Sequence, residues 1–372
     1  MKKTEESPLI TYADSHPGIS GKQNEDRYKV SYFQTGKDGQ TPSALVVLCD
    51  GIGGHRAGEV AAEMAVSTIT KVITASDAEN PLRLMREAIT QASDAIYQVS
   101  GSEKGRNGMG TTCACAWVIG ERFYTANVGD SRIYLLRDDH LVQLSTDHTW
   151  IQEALDAGVL EIGNHNNHPN AHVIRRYLGS KVAPEPDFRL WFFENEQSEE
   201  AVANQGLVLQ IGDVILLCSD GLTDLVGDDE IRSVIQNTSS SDVPDTLISM
   251  ANQRGGHDNT TVVLISVPPK FQKAKKAAKK QRRVWGCLAV IASVSLLVAA
   301  VLFGWRWLQG QTPQEETQQP GFEQTLPVEA TLIRYSETPG PTETLLEPIE
   351  TPMEHVPSSA TRTPWPTHTQ TQ

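Results

Sequence analysis

The chain has 372 residues, 39% of them hydrophobic, five cysteines and a formal charge of −14. So acidic a chain is a poor general nucleic-acid binder, because phosphate contacts need Lys and Arg, and five cysteines over this length do not make a disulfide scaffold. The charge is uneven: residues 1–269 hold 37 acidic and 21 basic residues, a net −16, while 270–283 hold eight basic residues and no acid.

In chain order, runs rich in Val, Ile, Leu and Thr predict strands over 44–49, 111–119, 122–128, 132–136, 141–144, 207–211, 214–218 and 260–267. Gly120-Glu121 and Asp138-Asp139-His140 read as hairpin turns, which implies antiparallel pairing. A mostly apolar face predicts a helix over 56–73. Asn80-Pro81 reads as an N-cap followed by proline at the first helical position. Leu82, Met85, Ile89, Ala92, Ile96 and Val99 then repeat at helical spacing, and Gly101 is expected to end the pattern. Shorter helices are predicted over 150–157, 229–236 and 243–252. Residues 158–206 read as irregular and polar, a surface loop or small flap. The expected class is layered α/β, with helices outside antiparallel sheets.

Past residue 269 the regime changes. Residues 284–305 carry no charge for 22 positions, and about 20 suffice to cross a hydrocarbon core as a helix. Trp285, Trp305 and Trp307 mark its two ends, as interfacial tryptophans do. Lys270, Lys273, Lys275, Lys276, Lys279, Lys280, Arg282 and Arg283 precede it, and only Arg306 follows nearby. By the positive-inside rule the N-terminal part is cytoplasmic and 306–372 lies outside. The basic collar is also suited to anionic lipid headgroups. The final segment holds ten of the twenty prolines and thirteen threonines, and is expected to be a disordered extracytoplasmic tail. The expected organisation is a folded domain over 8–268, a juxtamembrane segment over 269–283, a transmembrane helix over 284–305 and a tail over 306–372.

Two apolar strand-like runs end in Asp-Gly, at Asp50-Gly51 and Asp220-Gly221. Gly129-Asp130 ends a third, Asp258 precedes a fourth, Glu25 and Asp26 are adjacent, and Asp224 follows Asp220 by four. One Asp-Gly is ordinarily a turn. Several carboxylates at strand ends repel one another unless protonated or bridged by a cation. Oxygen ligands without His or Cys suit Mg2+ or Mn2+ rather than Zn2+.

On these residues the chain resembles the metal-dependent protein phosphatase 2C family, in its bacterial branch. The motifs run in order as Asn24-Glu25-Asp26, Asp50-Gly51-Ile52-Gly53-Gly54-His55 with Ala57-Gly58-Glu59, Gly110-Thr111-Thr112 and Asn127-Val128-Gly129-Asp130-Ser131-Arg132. They continue as Asp147-His148, Leu178-Gly179 with Pro186-Asp187, Gly212-Asp213, Ser219 to Asp224, and Asp258-Asn259. The resemblance covers about residues 8–268. It implies a four-layer αββα sandwich of two antiparallel sheets flanked by helices. It implies hydrolysis of phosphoserine and phosphothreonine on proteins by a metal-activated water at a binuclear Mg2+ or Mn2+ centre, with no covalent phosphoenzyme. Asp50 would bridge two ions and Gly51 would offer its carbonyl. Asp220 and Asp258 would complete one site and Glu25 the other. Asp26 would hold water, while Asp130 and Asp224 would bind a weaker third ion. Residues near 150–180 would form a flap beside the site. The implied partners are phosphorylated proteins, a membrane Ser/Thr kinase with its substrates, and membrane lipid, with no nucleic acid.

Cys49, Cys113, Cys115 and Cys218 read as small core residues on strands. Two departures from the family stand out. Gly21 occupies the place of the Arg that binds substrate phosphate, with Lys22 beside it as a point-charge substitute. Ile52 occupies the place of a His found in some relatives, and His55 stands three residues on. The alternative reading is a catalytically weak phosphatase-fold binding or receptor module.

Overall fold

The computed structural model describes residues 1–269 apart from 6, 38, 54–56, 103–107, 161–168, 171 and 194, together with Phe271 and Arg306. Two compact units are distinguished, Met1–Ala277 with Ser359–Gln372, and Ala278–Ser358. The strands and helices named below all belong to the first. The expected collar, apolar span and tail lie outside the described residues, Arg306 excepted. Among the described residues no helix is long and apolar enough to cross a membrane.

The first sheet contains, edge to edge, β1 (Lys2–Thr4), β3 (Arg27–Thr35), β4 (Thr41–Cys49), β7 (Cys113–Ile119), β8 (Arg122–Val128) and β11 (Leu207–Val208). The second contains β10 (His140–Gln143), β9 (Arg132–Arg137), β12 (Val214–Cys218), β13 (Thr260–Ser266) and β2 (Ile10–His16). A two-residue pair, β5 (Gly51–Ile52) with β6 (Gly110–Thr111), sits beside them. Every pairing is antiparallel.

The apolar strand runs look continuous because both faces of each sheet are covered. Alternate residues divide between two cores, as the period of two requires. Val46 and Leu48 of β4, Ala114 and Ala116 of β7, Ile133 and Leu135 of β9, Ile215 and Leu217 of β12, and Val263 and Ile265 of β13 fill the space between the sheets. Leu45, Val47, Cys49, Cys115 and Trp117 face outward against α1 (Ala57–Thr74) and α2 (Pro81–Ser102). Tyr134, Leu216, Cys218, Val262 and Leu264 face outward on the other side. They pack with α6 (Asp228–Asn237) and α7 (Val243–Gln253). The result is the layered sandwich, helices outside and sheets inside. Burial pushes the Cys49, Cys115 and Cys218 thiols up, so these cysteines are packing residues rather than nucleophiles.

Local signals explain most element ends. Asn80 Oδ1 accepts from the Arg83 N–H at 3.2 Å, and Pro81 opens α2. Asp138 and Asp139 both take positive φ, 48° and 64°, which closes the β9–β10 hairpin with two residues. α3 (Trp150–Asp156) starts at Thr149, whose side chain accepts from Gln152 N–H. Four expectations change. The run over 207–211 forms a strand only at Leu207–Val208. α2 runs through Gly101 to Ser102, since a helical glycine costs only about 1 kcal/mol. Strands β1, β2 and β3 arise where no apolar run marked them: β2 is an edge strand, and much of β3 is only half-buried. The stretch 158–206 is not wholly surface loop. It carries α4 (Ser198–Ala203), and Leu178, Phe188, Leu190 and Trp191 are buried core.

Candidate metal centre

Antiparallel register brings the acidic residues to one rim. Asp50 follows β4, and Asp26 precedes β3 where Arg27 lies opposite Cys49. Asp220 follows β12 and opens α5 (Asp220–Thr223), while Asp258 lies two residues before β13, whose Val262 is opposite Cys218. Asp130 follows β8, and Arg132 begins β9 opposite Cys218.

Asp26 is the most enclosed of them. Its Oδ2 accepts from Ser219 Oγ at 2.8 Å and Thr261 Oγ1 at 2.6 Å. The Thr261 hydroxyl has one proton and gives it to Asp26, so Ser15 Oγ, 2.7 Å away, donates to Thr261. Asn24 Nδ2 in turn donates to Ser15 Oγ at 2.8 Å, and Asn24 Oδ1 accepts from the Asp26 N–H at 3.0 Å. A directed chain of donors thus fixes one oxygen of Asp26. The other oxygen, Oδ1, is buried with no donor. Burial raises the Asp26 carboxyl, and the two hydroxyls oppose that rise.

Asp50 is held by its backbone. Its N–H donates to Thr112 Oγ1 at 2.9 Å, and its carbonyl accepts from Thr112 N–H at 2.8 Å and Thr111 Oγ1 at 2.7 Å. Behind it, Thr112 and Ser131 share a hydroxyl hydrogen bond of 2.7 Å. Gly51 packs against Gly58 at the start of α1. A Cβ at Gly51 would lie 2.4 Å from the Gly58 carbonyl, so backbone approach requires glycine on both sides. Glu25 completes this corner. Its N–H donates to Asn259 Oδ1 at 2.7 Å, and its carboxylate lies beside Gly58, where the backbone N–H groups of Glu59 and Gly58 counter the rise that burial imposes. That places an anion on the open N-terminus of an 18-residue helix.

The charges are unbalanced. Burial, then the neighbouring carboxylates, push Asp50 and Asp220 well above the usual range. Burial and Asp147 raise Asp130 to about 7. Glu25 is raised by burial. Nearby cations are engaged elsewhere. Arg132 forks onto Asp147, with Nη2 to Oδ2 at 2.7 Å, and Arg27 pairs with Glu59. Lys22 Nζ, on the exposed rim, lies 3.5 Å from Asp258 Oδ1. Asp224 meets His172 Nδ1 at 3.3 Å and His257 Nε2 at 3.7 Å. Gly21 has φ of +76° with open space around it. His55 lies outside the described residues.

All the predicted ligands therefore share one rim: Glu25, Asp50, Gly51, Asp130, Asp220, Asp224 and Asp258, with Asp26 below and Lys22 at the edge. Among the described residues no three acidic, His or Cys side chains stand in a ligating array as they lie. The donor set nevertheless fits hard divalent ions. It is all oxygen, and both Asp26 Oδ1 and Asp130 Oδ1 are buried without a partner.

Sequence reading missed Ser15 and Thr261, and gave no role to the motif residues Thr112, Ser131 and Ser219; these hydroxyls orient the carboxylates. Only Ser15, Ser131 and Ser219 carry a local signal, each being next to an Asp; Thr112 and Thr261 carry none. The motif residues away from the rim are structural. Gly129 N–H donates to His148 Nδ1 at 3.1 Å, so the His148 proton sits on Nε2 and points to Asp187 Oδ2 at 3.3 Å. Arg189 forks onto the same Asp187.

The family described as Protein phosphatase 2C matches residues 20–154. The serine/threonine phosphatase stp of Listeria welshimeri serovar 6b is 37% identical over 229 residues, 59% of this chain and 83% of that protein. The crystal structure of the Mycobacterium tuberculosis serine/threonine phosphatase PstP/Ppp superposes with a TM-score of 0.57 at 31% identity, over 70% of this chain and 99% of that one. The catalytic domain of PstP in complex with two manganese ions gives 0.56 at 30% identity, over 69% of this chain and 97% of that one. The chain belongs to the protein phosphatase 2C family of serine/threonine phosphatases.

Proposed function

We propose that the acidic rim is a binuclear Mn2+ or Mg2+ centre that hydrolyses phosphoserine and phosphothreonine on proteins. The observation that carries this is the meeting of seven carboxylates at one rim, two of them presenting orphaned buried oxygens. Asp50 with Asp220 and Asp258 would hold one ion, and Asp50 with Glu25 and the adjacent Gly51 carbonyl the other. Asp130 and Asp224 would hold a weaker third. Bound there, the ions supply charge neutralisation for the phosphoryl oxygens and acidify water. Asp26, with Oδ2 fixed by Ser219 and Thr261, orients the attacking water through Oδ1 and takes up its proton. Thr111 and Thr112 fix the turn that carries Asp50 and Gly51. Lys22 meets the incoming phosphate from the rim, where its ammonium exchanges Asp258 for the substrate. A point charge grips phosphate less firmly than a guanidinium fork.

The sequence past residue 269 supports a single-pass membrane protein. In this reading residues 8–268 are the cytoplasmic catalytic domain, 269–283 its collar, 284–305 the span and 306–372 an extracytoplasmic tail. Its partners would be a membrane Ser/Thr kinase and that kinase's phosphorylated substrates, concentrated by the shared membrane.

The purified full chain should release phosphate from a phosphothreonine peptide in Mn2+ or Mg2+ and stop in excess chelator. Asp50→Ala should abolish release and the thermal stabilisation that Mn2+ confers. Turnover that survives complete chelation would sink the metal mechanism.

A further inference from the structure

The strands that carry the acidic rim all turn or end at the opposite pole, where the described part of the domain also ends, at Phe271. Ser266, the last residue of β13, lies opposite Val214, the first of β12, and Ile10, the first of β2. Val267 accepts from Gly212 N–H at 3.0 Å and donates to the Asp213 carbonyl at 3.0 Å. Phe271 is then buried in the core between the sheets, in the cluster that also contains Leu9 and Val267. The six steps from Thr260 to Ser266 span about 20 Å. That end is therefore about a strand length from the carboxylates.

Around that end several apolar side chains are exposed, beside the polar hairpin turn Asp138-Asp139. Ile10 is 43% exposed, Ile211 45%, Val208 49% and Phe193 64%. Val208 lies opposite Arg122 at the start of β8, and its carbonyl accepts from Arg137. Arg137 also stacks on Phe192, the neighbour of Phe193. Asp213 neutralises Arg137. Exposed side chains of this size in one zone mark an interaction surface. The downstream sequence names the occupant. Lys270 opens the run of eight basic residues and no acid, and the uncharged 22-residue segment begins at 284.

We propose that this pole, through Ile10, Val208, Ile211 and Phe193, docks on an anionic lipid bilayer and turns the acidic rim away from it. The inference rests on the single-span reading above. Apolar tips enter the headgroup boundary, and the collar supplies the charge that the pole lacks. The rim of like-charged carboxylates is thereby kept off a negative surface and open to phosphoproteins.

The test uses the full chain in vesicles of phosphatidylcholine with or without phosphatidylglycerol, the anionic lipid supplying a negative surface potential. Flotation after alkaline carbonate reads the anchor, and amide hydrogen exchange reads the docking. Exchange in 207–213 and at 10–12 should slow about tenfold in anionic vesicles relative to detergent. The doubly substituted Val208→Ser, Ile211→Ser chain should lose that protection while its turnover of a soluble phosphopeptide is unchanged. Flotation with no protection at the pole overturns the docking and leaves the anchor standing. Failure to float overturns both.

Discussion

Asp187 illustrates how a residue can belong to a phosphatase motif without touching the reaction. It is buried against Asn127 of β8, with which it exchanges two backbone hydrogen bonds of 2.9 Å. Its carboxylate takes Arg189 and the Nε2 proton of His148. These donors outweigh burial and hold its carboxyl far below the usual range. A depressed pKa means that the stabilisation is full above the unfolded value of about 3.9 and is lost as pH falls below it. Asp187→Asn should cost about 3 kcal/mol in urea unfolding at pH 7, as breaking a buried pair does. The gap to the parent should narrow by about 1 kcal/mol at pH 3, because only the parent loses stability there. Asp220 should behave in the opposite way. It is buried among like charges that destabilise its ionised form. Asp220→Asn should raise the unfolding temperature in chelator by a few degrees, about 1 kcal/mol for a domain of this size. The same variant should lose the rise that Mn2+ gives the parent, and scanning fluorimetry with and without Mn2+ reads both.

At the scale of elements, strong local patterns and tertiary context divide the outcome. β8 and β12 run over 122–128 and 214–218, as their apolar runs predict, because both are central strands covered on two faces. β2 and β3 were not legible. Their polar positions face solvent or the rim, and only pairing with β13 and β4 makes them strands. The loop that carries Gly21 shows the same division. The sequence marks a missing Arg, and the backbone supplies the reason that simple restoration has a cost. φ is +76°, a region that costs an L side chain about 1–2 kcal/mol, although no atom obstructs a Cβ there. Gly21→Arg should lower KM for a phosphopeptide about threefold, by adding a guanidinium at the rim. It should lower the free energy of unfolding by about 1–2 kcal/mol. An unchanged KM would place residue 21 outside substrate reach.

At the scale of the molecule, the proposed single-span reading gives the −16 domain and the +8 collar separate tasks. Part of the acidity is gathered at the rim, and the collar follows the opposite pole. A chain ending at residue 271 should turn over a soluble phosphopeptide at the rate of the full chain. It should act about tenfold more slowly on a phosphoprotein embedded in the same vesicles, since it loses the concentrating effect of a shared surface. Equal rates on the embedded substrate would remove that role from residues 272–372.

The sequence alone determined the layered class, the central strands, the cysteines as packing residues, and the carboxylates Asp50, Asp130, Asp220 and Asp258 as strand-end groups. Those features are local: an apolar run ends, and an Asp-Gly or an isolated Asp marks the end. Tertiary structure decided which oxygens are fixed and which are left without donors. Asp26 is held by Ser219 and Thr261, 193 and 235 residues away in the chain. Glu25 sits on the N-terminus of α1, and Gly51 meets Gly58. No local pattern encodes such meetings, because antiparallel register between distant strands creates them. The same register places Phe271 and the exposed Ile10 and Val208 at the pole opposite the chemistry.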